Sequence, residues 1–447
     1  MKKCFCKITT FLGLLAPLAG FAQSARLLST LTNPSPEAVK FFGLSVATMG
    51  NDRLLIGAPA DYGDLEFGGV AYLFSTNGTL LTTFTSPASE SGDEFGRPTV
   101  ALGSDRVLIG APNDSSVAPY SGMAYLFSTN GALLTTFTNP TPSWDDEFGL
   151  AIAAVGNDRV VIGAPYDYDA PTLSIAGVAY LFSTNGTLLH TFTNPVNPAG
   201  DVNLGLSVAA VGNDRVIIGK YGAAYLFSID GTLLTTFSKP GPPGAFGPVV
   251  AAIGSDRVII GTPYSGMAYL FSTNGTLQTV FTNPAPANFS EFGNSVAALG
   301  SDRVLIRTIT GLTYVFSTSG SLLSTLINPN SGQGYWFGDS VVAVGGDRVL
   351  VGGYRDNTGP TNAGAAYLFS LEPPSLSVTR SGGSVTVSWP NDTDGYVLDQ
   401  TAVLPPMPPG NSGWTPVPPA NYQTNSTSIF ITLPEPVRHK FFRLRRP

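Results

Sequence analysis

The phrase RLLSTLTNP at residues 26–34 returns near the far end of the chain as SLLSTLINP at residues 321–329, and TLLTTF at 79–84 is a close relative lying between them. Each such phrase closes a longer unit. A Phe-Gly pair recurs at Phe42, Phe95, Phe148, Phe246, Phe292 and Phe337, with Leu204 in its place once, giving seven copies spaced 42 to 56 residues apart. A period of that length marks a repeat architecture.

Four phrases follow one another in each copy. In the first copy they are FGLSVATMG (42–50), RLLIGAP (53–59), GVAYLF (69–74) and TLLTTF (79–84), and GND and STNGT mark the first and last connections. Asn-Gly between β-rich runs predicts a hairpin with positive φ at both residues, a type I′ turn. Each copy therefore reads as an antiparallel meander of four strands, A to D. Strands such as AYLF and RLLIG are apolar on both faces, so each sheet requires cover on both sides. Stacked four-stranded sheets of this size form a β-propeller, whereas a solenoid would need polar caps at its ends. The last copy stops at LEPP after AYLFS and lacks strand D, and RLLSTL supplies it from the other terminus. The expected fold class is all-β: a seven-bladed β-propeller closed by an N-terminal strand, which leaves no open array edge, followed by a small β-sandwich.

Phe-Gly followed by Gly57-Ala58-Pro59, Gly110-Ala111-Pro112 and Gly163-Ala164-Pro165 resembles the FG-GAP repeats of the seven-bladed propeller at the head of integrin α chains, over residues 26 to 371. The resemblance implies a cell-adhesion or binding role. Its calcium loop, of the DxDxDG type between strands A and B, is replaced here by the short turns GND, GSD or GGD. Calcium needs six to eight oxygen ligands; no metal and no cofactor is expected.

Residues 1–22, MKKCFCKITTFLGLLAPLAGFA, read as a secretory signal peptide cleaved before Gln23. The only cysteines, Cys4 and Cys6, lie in that leader, so the mature chain has no thiol chemistry. No later stretch is apolar over the ~20 residues that span a bilayer. The domains expected are the signal peptide, a propeller at 23–371 and a fibronectin-type-III-like β-sandwich at 372–447, in a secreted or cell-surface monomer. The last of these rests on the alternating runs SLSVTRSGGSVTVSWP, GYVLDQT and SIFITLP, with Trp389 and Trp414 for a core and a basic end, KFFRLRRP.

A meander ring has two faces. The A–B and C–D turns carry seven Asp-Arg pairs, read as turn-completing aspartates and solvated strand ends. The B–C and D–A loops vary, and variable loops on a rigid scaffold carry binding. Between residues 60 and 170 these loops hold Asp61, Asp64, Glu66, Glu90, Asp93, Glu94, Asp114, Asp145, Asp146, Glu147, Asp167 and Asp169, with no Lys or Arg counted among them. That arc is expected to be strongly negative. Tyr62, Tyr120, Trp144, Tyr166 and Tyr168 are interleaved with it, and Tyr264, Tyr335, Trp336 and Tyr354 follow further round. The candidate ligand-binding set is Asp61, Asp64, Glu66, Asp93, Glu94, Trp144, Asp145, Asp146, Tyr166, Asp167, Tyr168 and Asp169. Carboxylates beside aromatic platforms suit an extracellular glycan or a protein ligand with cationic groups.

Nucleic acid is excluded as a partner on charge, since residues 23–373 carry 14 basic and 26 acidic side chains. His190 replaces a strand-D threonine and His439 lies in the basic tail, so no nucleophile has a histidine base, and catalytic residues are not expected. The alternative is an extracellular carbohydrate-active enzyme, a glycosidase or lyase, working through acidic residues of the same face.

Overall fold

The computed structural model describes residues 25–35, 40–59, 68–88, 92–169, 174–195, 203–240, 246–285, 291–330, 336–372, 376–381, 383–390, 397–401, 414–425, 427–434 and 440–445, apart from the side chains of Tyr168, Asp169, Ser174, Pro434 and Arg445. The expected signal peptide lies outside them. The chain divides into two compact units, Gln23–Pro373 and a second that contains Pro374–Pro447.

In the larger unit the first copy forms strands Ser45–Met49, Arg53–Ala58, Val70–Ser75 and Leu80–Thr85, hydrogen-bonded in that order. The pattern recurs, and the described residues of this unit contain seven four-stranded antiparallel sheets. Strands B and C are buried along nearly their whole length, as their two apolar faces require. Phe42, Phe95, Phe148, Phe246, Phe292 and Phe337 are fully buried. Each meets the strand-C phenylalanine of its own sheet edge-on, as Phe42 meets Phe74 at 6.1 Å.

The C–D connection departs from the expected type I′ turn. In the first sheet Gly78 takes φ 88°, while Asn77 is not among the residues with positive φ. The pairing slips between Leu73 and Phe74 to absorb the extra residue, the behaviour of a turn followed by a glycine bulge. The Asn77 side chain earns its place differently, accepting the Thr79 N–H at 3.2 Å.

The seventh sheet contains the strand that opened the sequence. Arg26–Thr32 pairs antiparallel with Ala365–Ser370 and occupies the outer position, beyond Arg348–Gly353 and Phe337–Val344. Strand A of each sheet lies against strand A of the next, and Ser45–Met49 lies against Phe337–Val344. There the Val46 N–H donates to Ser340 Oγ at 2.8 Å and the Thr48 hydroxyl to the Ala343 carbonyl at 3.1 Å. One apolar cluster joins Leu31, Val344, Leu350 and Leu368 to Leu54 and Tyr72 of the first sheet.

Two further contacts join successive sheets. On the turn face, each strand-B arginine donates through Nη2 to a carbonyl in the A–B turn of the next sheet: Arg53 to Ser104, Arg106 to Asn157, Arg159 to Asn213, Arg215 to Ser255, Arg257 to Ser301, Arg303 to Gly346 and Arg348 to Asn51. These arginines, expected as solvated strand ends, tie neighbouring sheets together. On the loop face, a glycine ending strand B packs against the Phe-Gly glycine of the next sheet. A Cβ at Gly57 would fall 2.0 Å from the Gly96 carbonyl oxygen, so the position has no room for a side chain.

The sixth sheet breaks this rule. Arg307 stands where the other sheets have that glycine, and strand A of the seventh sheet bulges between Phe337 and Val341 to admit it. Arg307 is fully buried, donates to the Phe337 carbonyl at 3.3 Å and pairs with Asp339 from the bulge.

The second unit has a four-stranded sheet, with Ser384–Pro390 and Ser428–Pro434 at its centre, and a three-stranded sheet centred on Val397–Thr401. Val387, Trp389, Leu398, Val417 and Ile431 form its core. Trp414, expected in a core, lies beneath the Arg443 guanidinium at 4.6 Å, and Arg443 is paired with buried Asp399. Most of the expected Pro-rich crossing lies outside the described residues.

Candidate functional site

Two recurring positions bring chemistry to the loop face. One immediately precedes Phe-Gly: Phe41, Glu94, Glu147, Asn203, Glu291 and Trp336. The first five take positive φ, between 42° and 56°. For a non-glycine residue this conformation costs roughly 1–2 kcal/mol, so its recurrence at one repeat position marks a requirement of how the chain enters strand A. The second position follows the strand-B glycine by two or three residues: Tyr166, Tyr221, Tyr264, Tyr354 and Arg355.

Groups at these positions act on one another across several sheets. Burial raises the Tyr166 hydroxyl pKa, and Glu147, Asp145, Arg97 and Tyr264 also act on it. Burial pushes Tyr354 up to about 12, and the charges acting on it include Asp339, Arg355, Arg307 and Arg97. Residues from the second, third, fifth, sixth and seventh sheets are therefore near enough to act on one another's charge, and this gathering on the loop face is termed the mouth. The rings of Tyr221 and Tyr264 lie 6.4 Å apart and are 42% and 68% exposed. They offer open aromatic faces.

The candidate residues divide into two groups. Towards the mouth lie Glu94, itself buried, Asp145 and Tyr166, with Glu147 beside them. Burial pushes Glu147 up to about 7, Arg97 opposes the shift, and Asp145 and Glu94 add to it. The arc is less negative than expected, because Arg97, at the start of the strand-A phrase, comes onto this face and pairs with Glu94 at 2.6 Å. Counting loop residues alone missed it.

Behind the mouth lie Asp93, Asp146 and Asp167, all buried. Asp167 accepts from the Tyr180 hydroxyl at 3.0 Å and from Thr141 at 3.3 Å. Asp146 accepts from the Asn139 amide at 2.8 Å and from the Ser143 N–H, while its second oxygen is buried without a partner. Burial is the main cause that raises it to about 6, with the Asp167 charge adding. The same bond recurs as Tyr125 to Asp114 and Tyr367 to Asp356, each at 2.6 Å. In the second, third and seventh copies a strand-C tyrosine thus holds the first turn of the B–C loop through an aspartate four residues past the strand-B glycine.

Trp144 is 57% exposed on the D–A loop. Tyr168 and Asp169 lie in a two-stranded hairpin with Ser174–Ile175, and their side chains are outside the described set. Asp61, Asp64 and Glu66 lie outside the described residues altogether. Among the described residues no group of three or more His, Cys, Asp or Glu is placed to hold a metal ion. Sequence reading left Tyr221 out and placed Tyr264, Trp336 and Tyr354 apart from Tyr166. Superposing the copies on the strand-B glycine would have brought Tyr221, Tyr264 and Tyr354 within one position of Tyr166.

The family described as FG-GAP repeat matches residues 81–127 and 322–369. Comparison with curated proteins finds no match. Among solved structures, the C-terminal WD40 domain of Sif2 is similar, with a TM-score of 0.51 and 13% identity, covering 79% of this chain and 100% of that one. The class defined is an all-β chain with FG-GAP repeats in a propeller-type architecture of four-stranded blades. No helix of the described residues is long and apolar enough to cross a membrane.

Proposed function

We propose that this chain is a secreted seven-bladed β-propeller, closed by its N-terminal strand and followed by a fibronectin-type-III-like sandwich, that binds an extracellular glycan or protein through its loop face and performs no catalysis. The observation that supports it most is the contrast between the faces. Seven equivalent arginine contacts repeat on the turn face. Exposed tyrosines and charged groups of changing identity gather on the other. Such a mouth offers stacking faces and hydrogen-bonding groups without a nucleophile beside a histidine base.

Binding of the purified chain to an array of neutral and acidic glycans, compared with a Tyr221→Ala/Tyr264→Ala variant, tests this reading. Loss of signal at least ten-fold in the variant is expected, and unchanged signal removes the mouth from the site. One observation favours the carbohydrate-active alternative: Glu147, raised to about 7, is poised as a general acid would be. Turnover of any arrayed glycan, abolished by Glu147→Gln, would establish that alternative instead.

A further inference from the structure

Among the described residues of the mouth, positive groups are matched to partners with one exception. Arg97 has Glu94, and the Lys220 ammonium donates to the Tyr221 carbonyl at 3.1 Å. Arg307 has Asp339, with the Glu291 charge also acting on it. Arg355 occupies the repeat position filled elsewhere by Tyr166 and Tyr264. Its guanidinium lies 4.4 Å from the Trp336 ring and 5.5 Å from both the Phe41 and Tyr354 rings, and its Nε is buried without a hydrogen-bond partner. Trp336 and Phe41 both come from the position before Phe-Gly, so two neighbouring copies build this aromatic seat and the seventh supplies the arginine.

The two arginines at the seat are served unequally. Arg307 and Arg355 both act on the single carboxylate of Asp339, and that carboxylate is ion-paired with Arg307. A cation stacked on rings keeps its in-plane donors available, and a guanidinium presents them as a fork matched to a carboxylate. A ligand carboxylate would give Arg355 the ion pair that Arg307 already has in Asp339. On the same mouth, the open faces of Tyr221 and Tyr264 suit the flat faces of pyranose rings and do not distinguish acidic from neutral sugars.

We propose that Arg355 is the acid-recognising position of the mouth, and that the ligand is a glycan carrying uronic-acid carboxylates, one of which docks on Arg355 while neighbouring sugars stack on the tyrosines. This rests on the loop face being a binding face and adds the ligand's chemical class.

The test uses the full chain, with hexagalacturonate and its fully methyl-esterified form as probes, read by calorimetry and by tryptophan emission with Trp336→Phe as the control. The acid is expected to bind at least ten-fold more tightly than the ester. Arg355→Ala should abolish that preference, and Arg355→Lys, which keeps the charge and loses the fork, should reduce it several-fold. A circular dichroism melt shows whether either variant is folded, and Arg355→Lys carries the test if Arg355→Ala is not. Equal affinity for acid and ester, or an acid preference that survives in the folded variant, overturns the assignment of Arg355 and leaves the binding reading standing. Failure to bind either probe overturns the uronate class, with the glycan array then judging the binding reading separately. Polyglutamate competing as well as hexagalacturonate also overturns it, in favour of an acidic protein segment.

Discussion

The turn face and the loop face are built by the same strands, yet they obey opposite rules. On the turn face one residue type makes one bond in every sheet: an arginine, with its side chain 19–26% exposed where its pairing with the preceding aspartate is recorded, reaches the carbonyl of the next A–B turn. Its aspartate neighbour is 74–79% exposed in those pairs, and exposed ion pairs contribute little. On the loop face the position before Phe-Gly keeps its backbone conformation in five copies while its side chain changes from phenylalanine to glutamate to asparagine. Repetition in side chain serves assembly of the ring, and repetition in backbone alone leaves the side chain free for recognition.

The largest effect on this contrast is expected at the seam, where both faces depend on a strand from the other end of the chain. Removing residues 25–32 strips the outer strand from the seventh sheet and takes with it Leu31, which is 4% exposed, and the half-buried Leu27 and Leu28, leaving their partners such as Leu368 and Phe369 without cover. Burial of two to three leucine side chains is worth roughly 4–6 kcal/mol, and the edge of Ala365–Ser370 would be left open for aggregation. A calorimetric melt of the deletant should fall well below the parent and lose cooperativity. A deletant that melts like the parent would mean that the strand contributes nothing to closure.

A smaller effect tests whether the seam is equivalent to the other junctions. Arg106→Ala removes a bond of 2.6 Å to the Asn157 carbonyl, and loss of such a charge-assisted bond costs about 1–3 kcal/mol. Arg348→Ala removes the corresponding bond between the seventh sheet and Asn51 of the first. The two variants should lose similar stability in urea unfolding. A much smaller loss for Arg348→Ala would show that the last junction is looser than the rest.

Much of the fold could be read from residues because repeats print the same instruction many times. Apolar strands on both faces demanded stacked sheets, and counting strands placed RLLSTL beside AYLFS, where Arg26–Thr32 pairs with Ala365–Ser370. Less of the site was legible, for two physical reasons. Acidic loop residues look alike in sequence, whereas hydrogen-bond donors set Asp146 and Asp167, held by Asn139 and Tyr180, apart from Glu147, which is desolvated beside Arg97. Convergence across the ring also joins residues far apart in the chain, so Arg97 and Tyr354 act on each other although no local pattern connects them. Arg307 carries the most compact signal of all, a lone arginine in a glycine column, and its meaning emerges only with the bulge and Asp339 that receive it.

The smallest expected effect reads the loop face through its acidity. Burial raises Glu147 from 4.5 to about 7 in the folded chain. A carboxyl with a folded pKa above its unfolded value binds its proton more tightly when folded, so its contribution is fully present below about pH 4.5 and is lost as pH rises through about 7. Glu147→Gln keeps the neutral shape and removes that slope. Wild type and variant should melt alike near pH 4, whereas by pH 8 the variant should be more stable by on the order of 1 kcal/mol, a difference of about 1–2 °C in a chain of this size. The turn-face variant Arg106→Ala should shift the melt by the same amount at both pH values, because no titrating group on the loop face is touched. A Glu147→Gln difference that does not change with pH would place that carboxyl in water and away from a desolvated mouth.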